Sequence, residues 1–317
     1  MNKVVLGIDI GGTNTVYGLV EKSGNILISE QIPTLGHEPA DSLISRLKVK
    51  VDTYLEDHSV SELAGIGVGA PNGNHYTGVI EDPPNLSWGH VDIVSLLSKK
   101  FNCDVCLTND ANAAALGEKY FGIAKDMNDF ILITLGTGLG SGIFSGGKIL
   151  YGHDSLAGEI GHLSIDQNGR NCPCGLKGCL EMYASAKGIK ETVIELLQVN
   201  PGDDFLSSLD LDNVDGKMIN RAVDDGVESA ISVYEFTADK LAYGLAQAAT
   251  IMNPEAFIFY GGFSLAGDRL FNPTRKAFES YLMENLKGKI NLLQSGLPHG
   301  QAGVLGAASL IWLSDLK

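Results

Sequence analysis

Basic residues are scarce in this chain of 317 residues: 23 Lys and Arg stand against 38 Asp and Glu, a formal net charge of −15. Such a surface repels nucleic acid and anionic membranes and offers no broad cationic face. A phosphate-bearing ligand would have to be held locally, by backbone N–H groups, a helix N-terminus or a divalent cation. Long apolar runs are missing as well. The first, residues 4–8, is interrupted by Asp9 and is too short for a signal peptide. No uncharged stretch of about 18 residues is apolar enough to span a bilayer, because residues 130–147 carry six glycines. The expectation is a cytoplasmic protein with neither a nucleic-acid nor a membrane partner. Proline is limited to 10 residues and no Gly-X-Y period exists, so collagen-like and low-complexity classes fall away. Cysteine numbers only five, an odd count with three crowded into residues 172–179, which points to metal rather than to a disulfide framework.

Glycine, by contrast, is abundant. There are 39, about 12% against a usual ~7%, in a chain that is 44% hydrophobic, so they serve a folded protein. Residues 4–8 read as a buried strand, Gly11-Gly12-Thr13 as a tight turn, and residues 16–20 and 26–29 as two returning strands. The same scheme recurs 126 positions later: a buried strand at 130–135, a Gly-rich turn at 136–140, and strands at 141–144 and 148–151. Two meanders of this kind mark an internal duplication.

Between and after the meanders the pattern is mixed α/β. Helices are expected at residues 40–57, 91–101, 111–120, 180–197, 214–224, 227–252 and 301–316, and strands at 63–68, 103–107 and 256–260. With no Pro/Ser-rich linker, the boundary is placed near Gly117. This gives a small N-terminal domain, 1–117, and a larger one, 118–300, with the helix in 301–317 packing back on the first.

Four motifs carry chemistry. In Asp9-Ile10-Gly11-Gly12-Thr13-Asn14, the glycines let backbone approach a phosphate, Thr13 can donate, and Asp9 can hold a hydrated Mg²⁺. Gly136, Thr137, Gly138 and Gly140 form the equivalent turn of the second meander. It is neither a Walker A loop, since Ile149 follows Lys148 where Ser or Thr should ligate Mg²⁺, nor a dinucleotide fingerprint. In Thr108-Asn109-Asp110 a strand gives way to a helix. Asp110 suits a general base on an alcohol, with Asn109 orienting the acceptor, and the helix N-terminus is expected to hold the Asp110 pKa low. The Asp or Asn there also serves simply as a helix cap.

The fourth motif joins His162 to Cys172, Cys174 and Cys179, a Cys₃His donor set at the spacing of a structural zinc knuckle. Glu159, three residues before His162, and Glu181, two after Cys179, stand beside it as carboxylates for sugar hydroxyls. Cys103 and Cys106 read as buried free thiols in a strand. Gly262, after the strand at 256–260, is a candidate adenosine contact.

With these residues in view, the sequence resembles the ROK family of sugar kinases and repressors within the actin-like ATPase superfamily. The likeness rests on Asp9 to Asn14, Gly69-Ala70-Pro71, Pro84-Asn85-Leu86, Asn109-Asp110, Gly136 to Gly142, the Gly-Glu-Ile-Gly-His run ending at His162, and the run from Cys172 to Glu181. It implies a two-domain α/β fold of duplicated ribonuclease-H-like halves with a zinc knuckle, ATP with Mg²⁺ in the cleft and a sugar at the hinge. It further implies that Asp110 deprotonates the sugar hydroxyl, that Asn85, Asn109, Glu159, His162 and Glu181 contact the sugar, and that His162 reaches Zn²⁺ through its other ring nitrogen. Family habit adds a homo-oligomer, dimer or tetramer. Asn72 stands where many members carry Gly after Ala-Pro, and Phe263 replaces the third glycine of the adenosine-side run. The leading activity is transfer of the ATP γ-phosphoryl group to the 6-hydroxyl of glucose, with N-acetylhexosamine kinase or fructokinase as alternatives. A sugar-responsive repressor is disfavoured because the first strand at Val4 leaves no room for a helix-turn-helix.

Overall fold

The strand at the start of the chain is apolar on both faces, and Val4, Val5, Leu6 and Ile8 are fully buried, as in a sheet covered on both sides. This is β1 (Lys3–Ile10) of a computed structural model that describes residues 3–57, 62–84, 86–211, 214, 216–298 and 300–314. β1 pairs antiparallel with β2 (Asn14–Glu21), and β2 with β3 (Ile26–Pro33). The helix α1 (Ala40–Asp57) turns Leu43, Ile44, Leu47 and Val51 into the core, the spacing of one helical face. β4 (Glu62–Ala70) then runs parallel to β1. A small hairpin, β5 (Val79–Glu81) and β6 (His90–Asp92), precedes α2 (Ile93–Phe101) and β7 (Val105–Asn109), which is parallel to β4. The sheet order is β3-β2-β1-β4-β7, and α3 (Asp110–Phe121) leaves directly from β7.

The order then repeats. β8 (Phe130–Leu135), β9 (Leu139–Ser145) and β10 (Lys148–Ile149) open a second five-stranded sheet. After them come α4 (Ala186–Val199), α5 (Asp204–Ser207), α6 (Gly216–Asp224), α7 (Glu228–Met252), β11 (Ala256–Tyr260), α8 (Asp268–Tyr281), β12 (Asn291–Gln294) and α9 (Ala302–Ser314). β11 lies parallel to both β8 and β12, giving the order β10-β9-β8-β11-β12. Strand for strand this is the arrangement of the first sheet, so the duplication legible in the glycine turns extends through the parallel half of each sheet.

Contacts group the chain into two units: residues 1–127, 142–157 and 296–317, and residues 128–141 and 158–295. The first unit extends past Gly117 to residue 127, and α3 runs through Gly117 to Phe121. Its second core is built on α9, whose Val304, Leu305, Ala308, Ile311 and Trp312 pack with Val5 and Val20. Small residues allow the approach. A Cβ on Gly67 would strike the Ala307 carbonyl, one on Gly117 would lie 2.6 Å from the Ala302 carbonyl, and one on Gly306 would strike the Ala113 carbonyl. Part of the glycine excess therefore serves close helix packing rather than ligand turns.

Several element boundaries differ from the sequence-based expectation. The helix expected at 180–197 is divided: Leu180–Met182 is a 3₁₀ turn, and α4 starts only after Ser185, whose hydroxyl caps it by accepting from Gly188 N–H. Residues 91–92 belong to β6, with Asp92 capping α2 through Ser95 N–H at 2.9 Å. Cys103 precedes β7 rather than lying in it, and both Cys103 and Cys106 are half-buried rather than buried. Among the described residues no helix is long and apolar enough to cross a membrane.

Candidate functional site

In the first unit, Asp9 and Asp110 stand at the carboxyl ends of β1 and β7 with β4 between them. The register Asp9 to Gly69 to Thr108 brings those ends level. The carboxyl edge of parallel strands is where open α/β sheets bind ligands. The Asp9 carboxylate rests against Gly303, where any larger side chain would displace it. Enclosure by protein pushes the Asp9 pKa up to about 7, and the neighbouring charge of Asp110 adds to the rise. Asp110 is the first residue of α3. Its Oδ1 accepts from Ala111 N–H at 2.8 Å, while Asn109, the cap, accepts from the same N–H at 2.9 Å.

Asp110 also corrects an expectation. Its pKa is raised, not lowered: loss of hydration beneath the surrounding protein outweighs the hydrogen bond from Ala111 N–H. Its surface nevertheless remains open to solvent, so the carboxylate is recessed but reachable.

The 11–13 turn is closed by Gly11 N–H donating to the Asn14 carbonyl at 3.0 Å, and Thr34 Oγ1 donates to the Gly11 carbonyl at 2.7 Å. A Cβ at position 11 would lie 2.8 Å from the Asn14 carbonyl oxygen, so glycine is required. Among the described residues the Gly12 and Thr13 N–H groups have no acceptor, and Thr13 and Asn14 are exposed. The turn thus offers two adjacent amides. Position 72 has φ 53°, a left-handed conformation open to Gly or Asn. Asn72 adopts it and donates through Nδ2 to the carbonyls of Glu81 and Asp82 at 3.0 and 3.1 Å. Asn85 lies outside the described residues.

In the second unit the 136–140 turn is closed by Gly136 N–H donating to the Gly138 carbonyl at 3.0 Å, as its counterpart is closed by Gly11. Gly140 N–H donates to Thr134 Oγ1 at 3.1 Å, and Leu139 N–H to Glu181 Oε2 at 3.0 Å. The N–H groups of Thr137 and Gly138 lack an acceptor among the described residues. Gly262 is exposed at the start of a 3₁₀ turn after β11, and the Phe263 ring turns inward against Tyr234, centroids 5.9 Å apart.

The donor atoms of His162, Cys172, Cys174 and Cys179 all lie within 4.8 Å of one another. Cys172 Sγ is 3.7 Å from His162 Nδ1, and Cys174 Sγ is 3.6 Å from Cys179 Sγ. Tetrahedral zinc with its usual bond lengths separates sulfur from nitrogen by about 3.6 Å and sulfur from sulfur by about 3.8 Å. The cluster therefore has the dimensions of a Cys₃His zinc site. Without a cation, burial and the neighbouring thiols push the Cys179 thiol up to about 12, whereas a bound Zn²⁺ would deprotonate it. With Nδ1 facing the sulfurs, His162 turns Nε2 toward Glu159 Oε2 at 4.0 Å. The 3₁₀ turn Ile160–His162, begun by Glu159, produces this arrangement.

Arg170 belongs to this assembly, although no motif spacing singles it out. Its Nε and one terminal nitrogen form a fork on Glu195 at 2.8 and 2.7 Å. The remaining donors reach the Met182 and Gly188 carbonyls and Thr192 Oγ1 at 2.6–2.9 Å. The guanidinium also lies 4.6 Å from the Tyr183 ring centroid. The metal loop is thereby tied to the turn that carries Glu181 and to α4.

Duplicated mixed sheets of this order, each opened by a glycine turn, define an α/β protein of the actin-like class. The chain belongs to the ROK family, whose model, described as "ROK family", matches residues 5–313. It is 35% identical over 315 residues to a glucokinase of Thermotoga maritima, covering 97% of this chain and 96% of the relative. A glucokinase of Halalkalibacterium halodurans is 34% identical, with 96% and 94% covered. Among solved structures, a ROK family glucokinase from Streptomyces griseus in complex with glucose and AMPPNP aligns with a TM-score of 0.82 at 32% identity. That alignment covers 97% of this chain and 98% of the other.

Proposed function

We propose that the chain is an ATP-dependent hexose kinase that phosphorylates the 6-hydroxyl of a sugar, with glucose the first candidate. The observation that carries this reading is Asp110, a recessed carboxylate open to solvent just past the carboxyl edge of the first sheet, two residues beyond Thr108, which shares the register of Asp9. The glucokinase relatives, one solved with glucose and an ATP analogue, support the choice of substrate.

In this reading Asp110 accepts the proton of the 6-hydroxyl as its oxygen attacks the γ-phosphorus. The bond from that phosphorus to the β,γ-bridging oxygen breaks, and ADP leaves. A raised pKa suits a base that must hold the proton at the end of the step. Asn109 keeps the first turn of α3 in place, and Glu159, His162 and Glu181 hold sugar hydroxyls. The amides of Gly12 and Thr13 in the first unit, and those of Thr137 and Gly138 in the second, have no acceptor among the described residues and are each suited to phosphate oxygens, which fits a chain with a net charge of −15. Asp9 would hold Mg²⁺ through water, and that ion would neutralise charge developing on the phosphates. Zn²⁺ on His162, Cys172, Cys174 and Cys179 would fill all four positions of a tetrahedron and act only on structure.

A coupled ADP-release assay over glucose, mannose, fructose and their N-acetylamino relatives tests the proposal. Glucose should give the highest kcat/KM. A tenfold preference for an N-acetylhexosamine would move the substrate to that class, and no sugar-dependent ADP release with any of them would overturn the kinase reading.

A further inference from the structure

Glu181 is tied to the glycine turn as well as to the metal loop. Its Oε2 accepts from Leu139 N–H at 3.0 Å, and its carboxyl packs so closely on Gly138 that a Cβ there would collide with it. The backbone that carries this side chain is held as well. Ser185 Oγ donates to the Glu181 carbonyl at 2.7 Å, and Arg170 binds the next carbonyl, that of Met182, at 2.6 Å. The Leu139 amide directly follows those of Thr137 and Gly138, which have no acceptor among the described residues. A negative carboxylate therefore occupies one of three consecutive N–H groups in a turn suited to anions.

Resting on the kinase reading above, we propose that Glu181 couples the sugar to the nucleotide: it holds the Leu139 amide while sugar is absent and releases it when a sugar hydroxyl draws the carboxylate away. Two physical effects favour nucleotide once the carboxylate moves. A third backbone donor becomes available to the phosphates, and a like charge leaves their neighbourhood. Linkage then requires that nucleotide tighten sugar by the same factor as sugar tightens nucleotide. Glu181 thus has two roles, as a sugar contact and as a positioning residue for the phosphate turn.

The test is titration of Mg²⁺ with AMPPNP by calorimetry, with and without glucose, on the full chain and on Glu181→Gln and Glu181→Ala, each checked for zinc content and thermal midpoint. In the unaltered chain glucose should tighten AMPPNP by roughly fivefold or more. Glu181→Ala should bind AMPPNP more tightly than the unaltered chain when sugar is absent, by about threefold or more, and should lose the response to glucose; Glu181→Gln, which drops the charge but keeps an oxygen that can accept from Leu139 N–H, should tighten it by less. A purely structural role predicts the opposite sign, because a loosened turn binds nucleotide less well. As a second readout, the ¹⁵N resonance of the Leu139 amide should shift on glucose addition in the unaltered chain and not in Glu181→Ala, which has no acceptor to withdraw. Variants that bind sugar-free AMPPNP equally or more weakly, in a chain that does bind it, would overturn the coupling alone. Failure of the unaltered chain to bind AMPPNP at all would overturn the kinase reading and the coupling together.

Discussion

Gly296 N–H donates a 3.0 Å hydrogen bond to Oε1 of Glu118, a fully buried carboxylate 178 residues away in the chain. The same oxygen accepts from Ile123 N–H at 3.0 Å. One side chain of α3 thereby satisfies the backbone at the start of the segment leading into α9 and in the loop that ends α3. Glu118→Ala leaves both N–H groups without that acceptor, at about 1–3 kcal/mol each. The expected loss is roughly 2–5 kcal/mol, read as a lower urea midpoint at unchanged slope, and Glu118→Gln should lose less because its carbonyl still accepts. A change below about 0.5 kcal/mol in the alanine variant would show that water replaces the carboxylate freely.

Asp110→Asn separates chemistry from structure. Turnover should fall by roughly 10² to 10⁴, while glucose binding measured by calorimetry stays within about threefold. Asn keeps the shape and an acceptor for Ala111 N–H, so the fold should tolerate it. Undiminished turnover would reduce Asp110 to a helix-capping residue.

The raised carboxyl pKa values set the sign of a pH effect. For Asp9 the folded value, about 7, exceeds the ordinary value of 3.8, so between them the folded state binds more protons than the unfolded state. Stability contributed by protonated Asp9 is complete below about pH 4 and is lost as pH rises through 7. Asp110 shifts in the same direction. In metal- and nucleotide-free protein, Asp9→Asn should therefore raise the thermal midpoint at pH 8 and leave it nearly unchanged at pH 4. An equal effect at both values would mean that Asp9 does not titrate in this window.

Purified protein should carry about one equivalent of zinc per chain by elemental analysis. Cys172→Ser should lose it and unfold at a markedly lower temperature, because binding to a closed Cys₃His site contributes on the order of 10 kcal/mol to the order of its loop. Zinc-free protein with the stability and activity of the native form would remove the metal from the account.

Arg170→Lys keeps the charge but loses the fork on Glu195 and the planar reach to two carbonyls. If Arg170 holds the Glu181 turn, the variant should raise the KM for sugar several-fold while kcat changes little. Equal loss in kcat and KM terms would point instead to general loosening of the second unit.

Local chemistry made a good part of the fold legible in the sequence. Helix α1 and strand β11 have the bounds that periodicity gives them, and both glycine turns lie where Gly11-Gly12 and Gly136 to Gly140 place them. The metal donors were legible because a tetrahedral site on a short loop needs its ligands close together in sequence. What sequence alone determined is this local set: turns that must be glycine, a charge too negative for a basic ligand face, and a Cys₃His loop. Tertiary structure decided the rest, because the deciding contacts join residues far apart in the chain. It placed Asp9 and Asp110 at level strand ends, where lost hydration raises pKa values that a helix terminus alone would lower. It gave Arg170 its five acceptors and set Glu181 on the Leu139 amide, and it put glycines such as Gly67 and Gly306 to use in close packing at α9.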